Sequence, residues 1–179
     1  MLNTLKKIIG LLAITAALTS GLLALEVGQP APSFSLKDQF GETWQLSELK
    51  GRVVVLVAST KKSGELMGPW VDGLKNRYSG RKDTFRLFAL VDLHNIPGLF
   101  RGFATSRIKK ETKDPVLIDF DGKTAKAYDA SDNYPVVVVI DKDSVVREVK
   151  KTKLDKEAFD AVTSAIDKSL RETQASPQP

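Results

Sequence analysis

The chain contains no cysteine. It therefore has no thiolate that could act as a nucleophile, bind a metal ion or hold a c-type haem, and it can form no disulfide bond. The sequence also lacks a phosphate-binding loop, a dinucleotide-binding glycine motif and the ligand spacing of a zinc site. These absences exclude several classes of enzyme. They do not argue against secretion, because a domain of this size can fold without disulfide bonds.

Acidic residues are missing from the start of the chain, where Lys6 and Lys7 precede the apolar run Ile8–Leu25. A basic start followed by an apolar segment is typical of an export signal. The run has about the minimum length of a membrane-spanning helix, and small residues near its end suit cleavage. We predict that residues 1–25 are a signal peptide or an N-terminal membrane anchor. The protein is then periplasmic or otherwise exported, and attached to the membrane if the segment is retained.

The remaining charges are mixed in sign, and the net charge of the chain is only +5. The lysines in residues 109–113 and 150–156 alternate with acidic residues, which is typical of solvated faces and not of a nucleic-acid-binding surface. A hydrophobic content of 42% is enough for one ordinary core. We predict a single domain over residues 26–172 and a disordered tail over residues 173–179, with no nucleic-acid partner.

Two kinds of apolar pattern alternate along this domain. Runs rich in β-branched residues predict buried strands, and apolar residues three or four apart predict helices with one buried face. Together they predict an α/β domain with a central mixed sheet of about five strands, helices on both faces and an N-terminal β-hairpin over residues 34–45. The predicted strands are residues 52–59, 85–92, 115–120, 134–141 and 145–149, and the helical stripes begin at Leu66, Leu99 and Leu154.

Large aromatic residues are predicted to belong to the core or to be partly buried, as their size favours. They are Trp44, Trp70 and Phe103. Phe103 shares a helical stripe with Leu99, so the second helix is expected to be weakly amphipathic. Thr152 is the predicted N-cap of the last helix.

Two long segments resemble the thioredoxin-like superfamily, in its exported redoxin, AhpC-TSA or TlpA-like branch. Residues 28–59, "GQPAPSFSLKDQFGETWQLSELKGRVVVLVAS", resemble the opening hairpin and first central strand of that family. Residues 119–146, "DFDGKTAKAYDASDNYPVVVVIDKDSVV", resemble its closing half. The resemblance extends over Val27–Ile166 and implies a thioredoxin-like fold.

The redox motif of that family is missing. A C-x-x-C motif opens the first long helix in the family, and a helix-kinking proline follows five residues after the second cysteine. Here that proline is Pro69, and counting back places Lys61, Lys62, Ser63 and Gly64 at the four motif positions. The resemblance therefore implies the fold without its catalytic cysteines. Two interpretations of this loop remain: Ser63 caps the helix beside solvated lysines, or the helix N-terminus captures an anion.

A second motif of the family is retained at Pro135. In thioredoxin-like proteins this proline follows a cis peptide bond and faces the active-site loop, and the backbone of the preceding residue is free to pair with an extended peptide. The resemblance thus implies a groove between residues 61–64 and Tyr134–Pro135. Peptide binding by strand addition can persist there without thiols.

These observations predict an exported, non-catalytic binding or adaptor module for a peptide or protein partner in the cell envelope, without a cofactor. The alternative is a redoxin-type thiol-disulfide or peroxide oxidoreductase component that depends on the cysteines of a partner. The oligomeric state is left open.

A polar site of lower priority surrounds His94, the single histidine. Thr60 or Ser63 could supply a hydroxyl nucleophile, with His94 as base and Asp92 as the group that orients it. Nothing like a nucleophile elbow is present, and a solvated loop histidine is the simpler interpretation.

Two pairs of aspartates could in principle bind a cation through oxygen ligands. Neither pair has the spacing of an ion-binding loop, so turn formation is the preferred explanation and no metal site is predicted. The pairs are Asp119 with Asp121 and Asp143 with Asp141.

Overall fold

The computed structural model describes residues 25–175. The predicted export segment, apart from Leu25, and the last four residues lie outside this range. The strands are β1 (Ser35–Asp38), β2 (Thr43–Gln45), β3 (Val53–Thr60), β4 (Phe85–Asp92), β5 (Val116–Asp119), β6 (Val136–Ile140) and β7 (Val146–Lys151). The α-helices are α1 (Met67–Tyr78), α2 (Gly98–Glu111), α3 (Lys123–Ala127) and α4 (Lys156–Ala175). Short 3-10 turns cover Leu46–Leu49 and Gly64–Leu66.

All seven strands belong to one mixed sheet, in the order β2-β1-β5-β4-β3-β6-β7. Strand β4 lies parallel to both of its neighbours, β3 and β5, whereas every other pairing is antiparallel. The sheet is wider than the predicted five strands because β1 pairs with β5 and so brings β2 into the same sheet. The predicted mixed α/β architecture is confirmed.

The central strand β3 is buried on both faces, which explains its continuous apolar sequence. On one face of the sheet, Val53, Val55 and Val57 pack with α1 and α4. On the other face, Val54, Leu56 and Ala58 pack with the first 3-10 turn, α3 and nearby aromatic residues. The two cores follow from the alternation of side chains along a strand. Helices on both faces of the sheet are therefore confirmed.

Helix α1 buries the predicted stripe, with Trp70, Leu74 and Tyr78 in the core. The indole N–H of Trp70 also donates to the carbonyl oxygen of Thr152 over 3.1 Å. Leu66, at the start of the predicted stripe, precedes the helix and remains exposed.

Helix α4 packs by its predicted apolar face, but its boundaries differ from the prediction. Asp155 caps it, because its carboxylate accepts the backbone N–H of Ala158 over 2.8 Å. The predicted cap at Thr152 is wrong, since the helix begins only at Lys156. The helix continues to Ala175, beyond the predicted domain boundary at residue 172.

Helix α2 differs most from the prediction. None of its residues is buried, and Phe103, predicted to be at least partly buried, is 74% exposed. The stripe that Phe103 shares with Leu99 faces away from the protein body. Apolar spacing shows that two residues share a helix face but not which way that face points. Within residues 25–175, no helix is long and apolar enough to cross a membrane.

Candidate functional site

The predicted groove residues lie at one edge of the sheet, where β3 and β4 end and β6 begins. Thr60 and Asp92 are register partners at the ends of β3 and β4. Ala58 pairs with Val136, the first residue of β6, so the segment before β6 reaches the same edge. The sheet topology thus brings residues 60–64 and 131–135 together.

Ser63 joins these two segments. Its hydroxyl donates to the carbonyl oxygen of Ser131 over 2.6 Å and accepts the backbone N–H of Thr60 over 3.2 Å. Ser63 is only 1% exposed, so these bonds satisfy a buried hydroxyl. Ser63 occupies the N-cap position of the following 3-10 turn, as predicted, but its side chain makes no capping bond there.

Asp132 adds a second, exposed connection between the same segments. Its carboxylate accepts the Thr60 hydroxyl over 2.8 Å and pairs with the Lys62 ammonium over 2.6 Å. The Thr60 hydroxyl in turn accepts the backbone N–H of Lys62 over 3.2 Å. We call the contacts of Thr60, Lys62 and Ser63 with residues 131–132 the loop bridge.

Electrostatics at the loop bridge follow from the Lys62–Asp132 pair. The hydrogen bond from Lys62, and then that from Thr60, lowers the pKa of the Asp132 carboxyl. The same pair raises the pKa of Lys62. Both side chains are more than half exposed, so the ion pair itself contributes little to stability. The buried Ser63 bonds are the stronger part of the bridge.

The second predicted side of the groove differs from the family pattern. No cis peptide bond occurs within residues 25–175, so the Tyr134–Pro135 bond is trans, the isomer that X–Pro bonds favour by about 0.5–1 kcal/mol. The Ser131 hydroxyl donates to the Tyr134 carbonyl oxygen over 3.0 Å. The backbone N–H of Tyr134 in turn approaches the Ser131 hydroxyl oxygen, at 3.5 Å. The backbone of Tyr134 is therefore not free, contrary to what the resemblance implied. Its side chain is 44% exposed.

Lys61 and Gly64 complete the loop and face solvent. The Lys61 ammonium has no ion pair with any residue in the range 25–175. A Cβ atom at Gly64 would meet nothing within 4 Å. Side chains other than the present ones would therefore fit at both positions.

The polar site around His94 assembles only in part. The His94 Nδ1 lies 2.7 Å from the Asp92 carboxylate, and its backbone N–H donates to the same oxygen over 2.9 Å. Gly122 packs closely here, because a Cβ at that position would lie 3.1 Å from the Cβ of His94. The hydroxyls of Thr60 and Ser63 bond to residues 131–132 instead of to His94. The arrangement has an oriented histidine without a nucleophile.

The aspartate pairs build turns, as expected. Asp119 is buried and accepts the backbone N–H groups of Asp121, Gly122 and Ala125, which fixes the start of α3. Burial raises the pKa of Asp119, while the Lys123 ammonium lowers that of Asp121 to about 2.

The second pair and one further aspartate act in the same way. Asp141 accepts the backbone N–H groups of Asp143 and Val145. Asp38, which sequence reasoning missed, accepts the indole N–H of Trp44 and two backbone N–H groups in the β1–β2 turn. An aspartate three residues before a turn glycine, as in Asp38 and Gly41, is the signal that could have revealed it. No cluster of three or more potential metal ligands occurs in the part of the chain that the structure describes.

Comparisons with known proteins find one similar sequence and several similar folds. No family model matches the sequence. The uncharacterized protein YtfJ of Escherichia coli K12 is 26% identical over 184 residues, covering 94% of this chain and all of that one. A putative thiol:disulfide interchange protein DsbE from Chlorobium tepidum aligns with a TM-score of 0.64 and 20% identity, over 82% of this chain and 99% of that one. A putative protein disulfide isomerase from Bacteroides thetaiotaomicron aligns with a TM-score of 0.63 and 19% identity, over 83% of this chain and 92% of that one. The chain has the thioredoxin-like fold.

By the count back from Pro69, the resemblance places Lys61 and Gly64 at the two cysteine positions of the family's redox loop. The sequence supplies no thiol there or elsewhere. The fold is therefore present without its catalytic cysteines. What remains at this edge is a fixed loop with one unpaired lysine and an exposed tyrosine.

A groove of about 1000 Å³ lies beside this edge, between α1 and the end of α2. Met67 and Val71 of α1, Leu87 and Val91 of β4, and Ile108 of α2 contribute apolar parts of its wall. Sequence reasoning missed the groove because its lining residues come from several strands, helices and loops and share no spacing.

Proposed function

We propose that this chain is a non-catalytic binding module that holds a peptide or protein partner at the sheet edge between residues 61–64 and Tyr134–Pro135. The loop bridge carries this proposal. A loop that exchanges disulfides needs a nucleophile, and this loop has none. Its side chains instead fix it to the neighbouring segment through the buried hydroxyl of Ser63.

A fixed loop favours binding because less conformational freedom is lost when a partner docks. The loop bridge sets the positions of Lys61 and Tyr134 in the free protein. An unpaired ammonium and an exposed phenol ring suit a segment that carries both a carboxylate and an apolar side chain.

Strand addition at Tyr134 requires one adjustment. The Ser131 hydroxyl now bonds to the Tyr134 carbonyl, and a carbonyl oxygen has a second lone pair for another donor. A peptide N–H can therefore bind the Tyr134 carbonyl while the Ser131 bond remains. Access to the Tyr134 N–H requires the Ser131 hydroxyl to rotate away.

The proposed location is the bacterial envelope. The basic start and the apolar run Ile8–Leu25 support export. One solved structure with the same fold is a pneumococcal exposed lipoprotein thioredoxin, aligned with a TM-score of 0.58 and 21% identity, over 76% of this chain and 99% of that one. That location suits an adaptor that acts beside other envelope proteins.

Site-specific photocrosslinking in the native envelope tests the proposal. A photoreactive residue at Lys61 or Tyr134 is expected to give the same discrete adduct, while the same probe at Lys168, exposed on α4, gives none. The Tyr134→Ala variant should reduce the adduct formed from position 61. Absence of any adduct at 61 and 134, or the same adduct at 168, would contradict the proposal.

The alternative is a redox component that acts with the cysteines of a partner. Its support is that one protein of similar fold is a putative thiol:disulfide interchange protein. An insulin-reduction and peroxide-consumption assay on the purified full chain separates catalysis from binding. Neither activity is expected from a chain without cysteine. Activity without a partner would overturn the binding-module proposal.

A further inference from the structure

The first two turns of α2 expose a compact apolar surface. Leu99, Phe100 and Phe103 are 89%, 56% and 74% exposed. Residues three and four apart share one face of a helix, so these side chains form one continuous patch. We call these three residues the α2 apolar patch.

Such a patch is costly to leave in water. Burial of a single Leu or Phe side chain is worth about 1.5–3 kcal/mol. Contiguous apolar surface on a soluble domain commonly marks a contact site. Helix α2 could have turned these residues toward the sheet, but its more covered positions are Ala104, Thr105 and Ile108.

The outward orientation of the patch is fixed by Arg101. Its guanidinium donates to the carbonyl oxygens of Phe120 over 3.1 Å and Ile96 over 3.4 Å, and it stacks 4.9 Å from the Phe120 ring. Arg101 thereby ties the start of α2 to the protein body. Leu99 and Phe103 are left on the opposite side of the helix.

The second half of α2 is basic. It carries Arg107, Lys109 and Lys110 with Glu111 as the single acid of the helix. Lys110 lies on the same face as Phe103, seven residues or about 10 Å further along the helix. Lys110 has no ion pair with any other residue that the structure describes.

We propose that α2 docks on an anionic lipid surface. The α2 apolar patch enters the boundary between headgroups and acyl chains, and Arg107 and Lys110, on the same side of the helix, contact lipid phosphates. Leu and Phe on one part of a helix with Lys and Arg on another are the features by which interfacial helices bind anionic membranes. Helix α2 itself carries no acid except Glu111, which pairs with Arg107, so the charge of the helix favours an anionic surface over a basic protein.

The absence of cysteine allows a direct test on the full chain. Ser106→Cys, on the outer face of α2, provides a single thiol for an environment-sensitive fluorophore, and Ser164→Cys on α4 is the matched control, since both serines are exposed. Both labelled proteins carry the same N-terminal segment. Any vesicle binding through that segment is therefore common to both.

The test uses phosphatidylcholine vesicles with and without phosphatidylglycerol. The label at 106 is expected to shift to the blue and to be quenched by brominated lipid when phosphatidylglycerol is present, while the label at 164 stays unchanged. The Leu99→Ser/Phe103→Ser pair should abolish the shift without altering folding, because both side chains are exposed. Lys110→Glu should weaken binding about fivefold or more.

Three results would overturn the proposal: equal responses at 106 and 164, a shift that survives the Leu99→Ser/Phe103→Ser pair, or a shift that requires added envelope proteins and does not occur with lipid alone. The last result would assign the α2 apolar patch to a protein partner. None of these results depends on the binding proposed for the loop bridge.

Discussion

The hydroxyl of Ser63 donates a 2.6 Å hydrogen bond to the carbonyl oxygen of Ser131, 68 residues further along the chain. This bond joins the loop that follows β3 to the segment that precedes β6. The Ser63 side chain is buried, and its hydroxyl also accepts the backbone N–H of Thr60. Ser63 is therefore the residue on which the geometry of the proposed binding edge depends.

Substitution of Ser63 by Ala should destabilise the protein by about 1–3 kcal/mol, because it leaves the Thr60 N–H without its partner and the Ser131 carbonyl with only the 3.4 Å contact of the Thr60 hydroxyl. Urea unfolding followed by tryptophan fluorescence measures the change. Ser106→Ala is the matched control, since Ser106 is exposed and lies in a helix, and it should be neutral within about 0.5 kcal/mol. Equal effects of the two substitutions would show that the loop bridge contributes no stability.

Restoring two cysteines should restore thiol chemistry to the scaffold. The Lys61→Cys/Gly64→Cys variant recreates the C-x-x-C spacing, and both positions have room for the new side chains. We expect insulin reduction above the level of the parent chain, which has no thiol. The Lys61→Cys single variant, which has no resolving cysteine, is the control. No activity in the double variant would indicate that the loop bridge or the trans Tyr134–Pro135 bond also blocks the redox reaction.

Alkaline pH should weaken the fold partly through Tyr78. Burial raises the pKa of its hydroxyl to about 12, so the folded state keeps a proton that the unfolded state loses near pH 10. The stability that the protonated Tyr78 hydroxyl gives to the folded state is fully present below pH 10 and is lost as the pH rises through about 12. The free energy of unfolding falls by about 1–2 kcal/mol through this group, after a reduction for solvent contact at the hydroxyl.

The Tyr78→Phe variant tests this assignment. It should be less stable near neutral pH, because the hydroxyl bonds to Asp167 over 3.0 Å. It should lose less stability than the parent between pH 10 and 12. A smaller alkaline loss must remain, since burial also raises the pKa of Tyr128. Parallel pH profiles for parent and variant would exclude Tyr78 as a source of the effect.

Two helical glycines should respond differently to substitution by Ala. At Gly102 in α2 a Cβ would meet nothing within 4 Å, so Gly102→Ala should stabilise by about 0.5–1 kcal/mol through helix propensity alone. At Gly73 in α1 the Cβ would lie 3.1 Å from the Phe159 ring, so the gain should be smaller or reversed. Urea unfolding of both variants gives the comparison. A larger gain at Gly73 would contradict the close packing of α1 on α4.

The buried elements could be read from the sequence because one physical rule governs them. The apolar run in β3 and the stripe of Trp70, Leu74 and Tyr78 are both buried as predicted. In each case the residue pattern leaves a single arrangement that removes the apolar side chains from water. The confirmed mixed sheet and the helices on its two faces follow from such patterns.

Predictions failed where two orientations satisfy the same local pattern. The stripe of Leu99 and Phe103 fits a helix facing inward or outward, and tertiary contacts of Arg101 select the outward orientation. Ser63 has the chemistry of an N-cap, but Ser131 competes for its hydroxyl from a distant part of the chain. Binding at Lys61–Gly64 and Tyr134–Pro135 stays a prediction.

The sequence alone determined that this protein has no thiol chemistry, because an absent sulfur atom cannot be supplied by folding. It also determined that β3, α1 and α4 contribute to the core, since their apolar periodicity is a local property. Only the tertiary structure decided which surfaces face solvent. They are the sheet edge held by the Ser63–Ser131 bond and the α2 apolar patch. Both depend on contacts between residues distant in sequence, and no local pattern records such contacts.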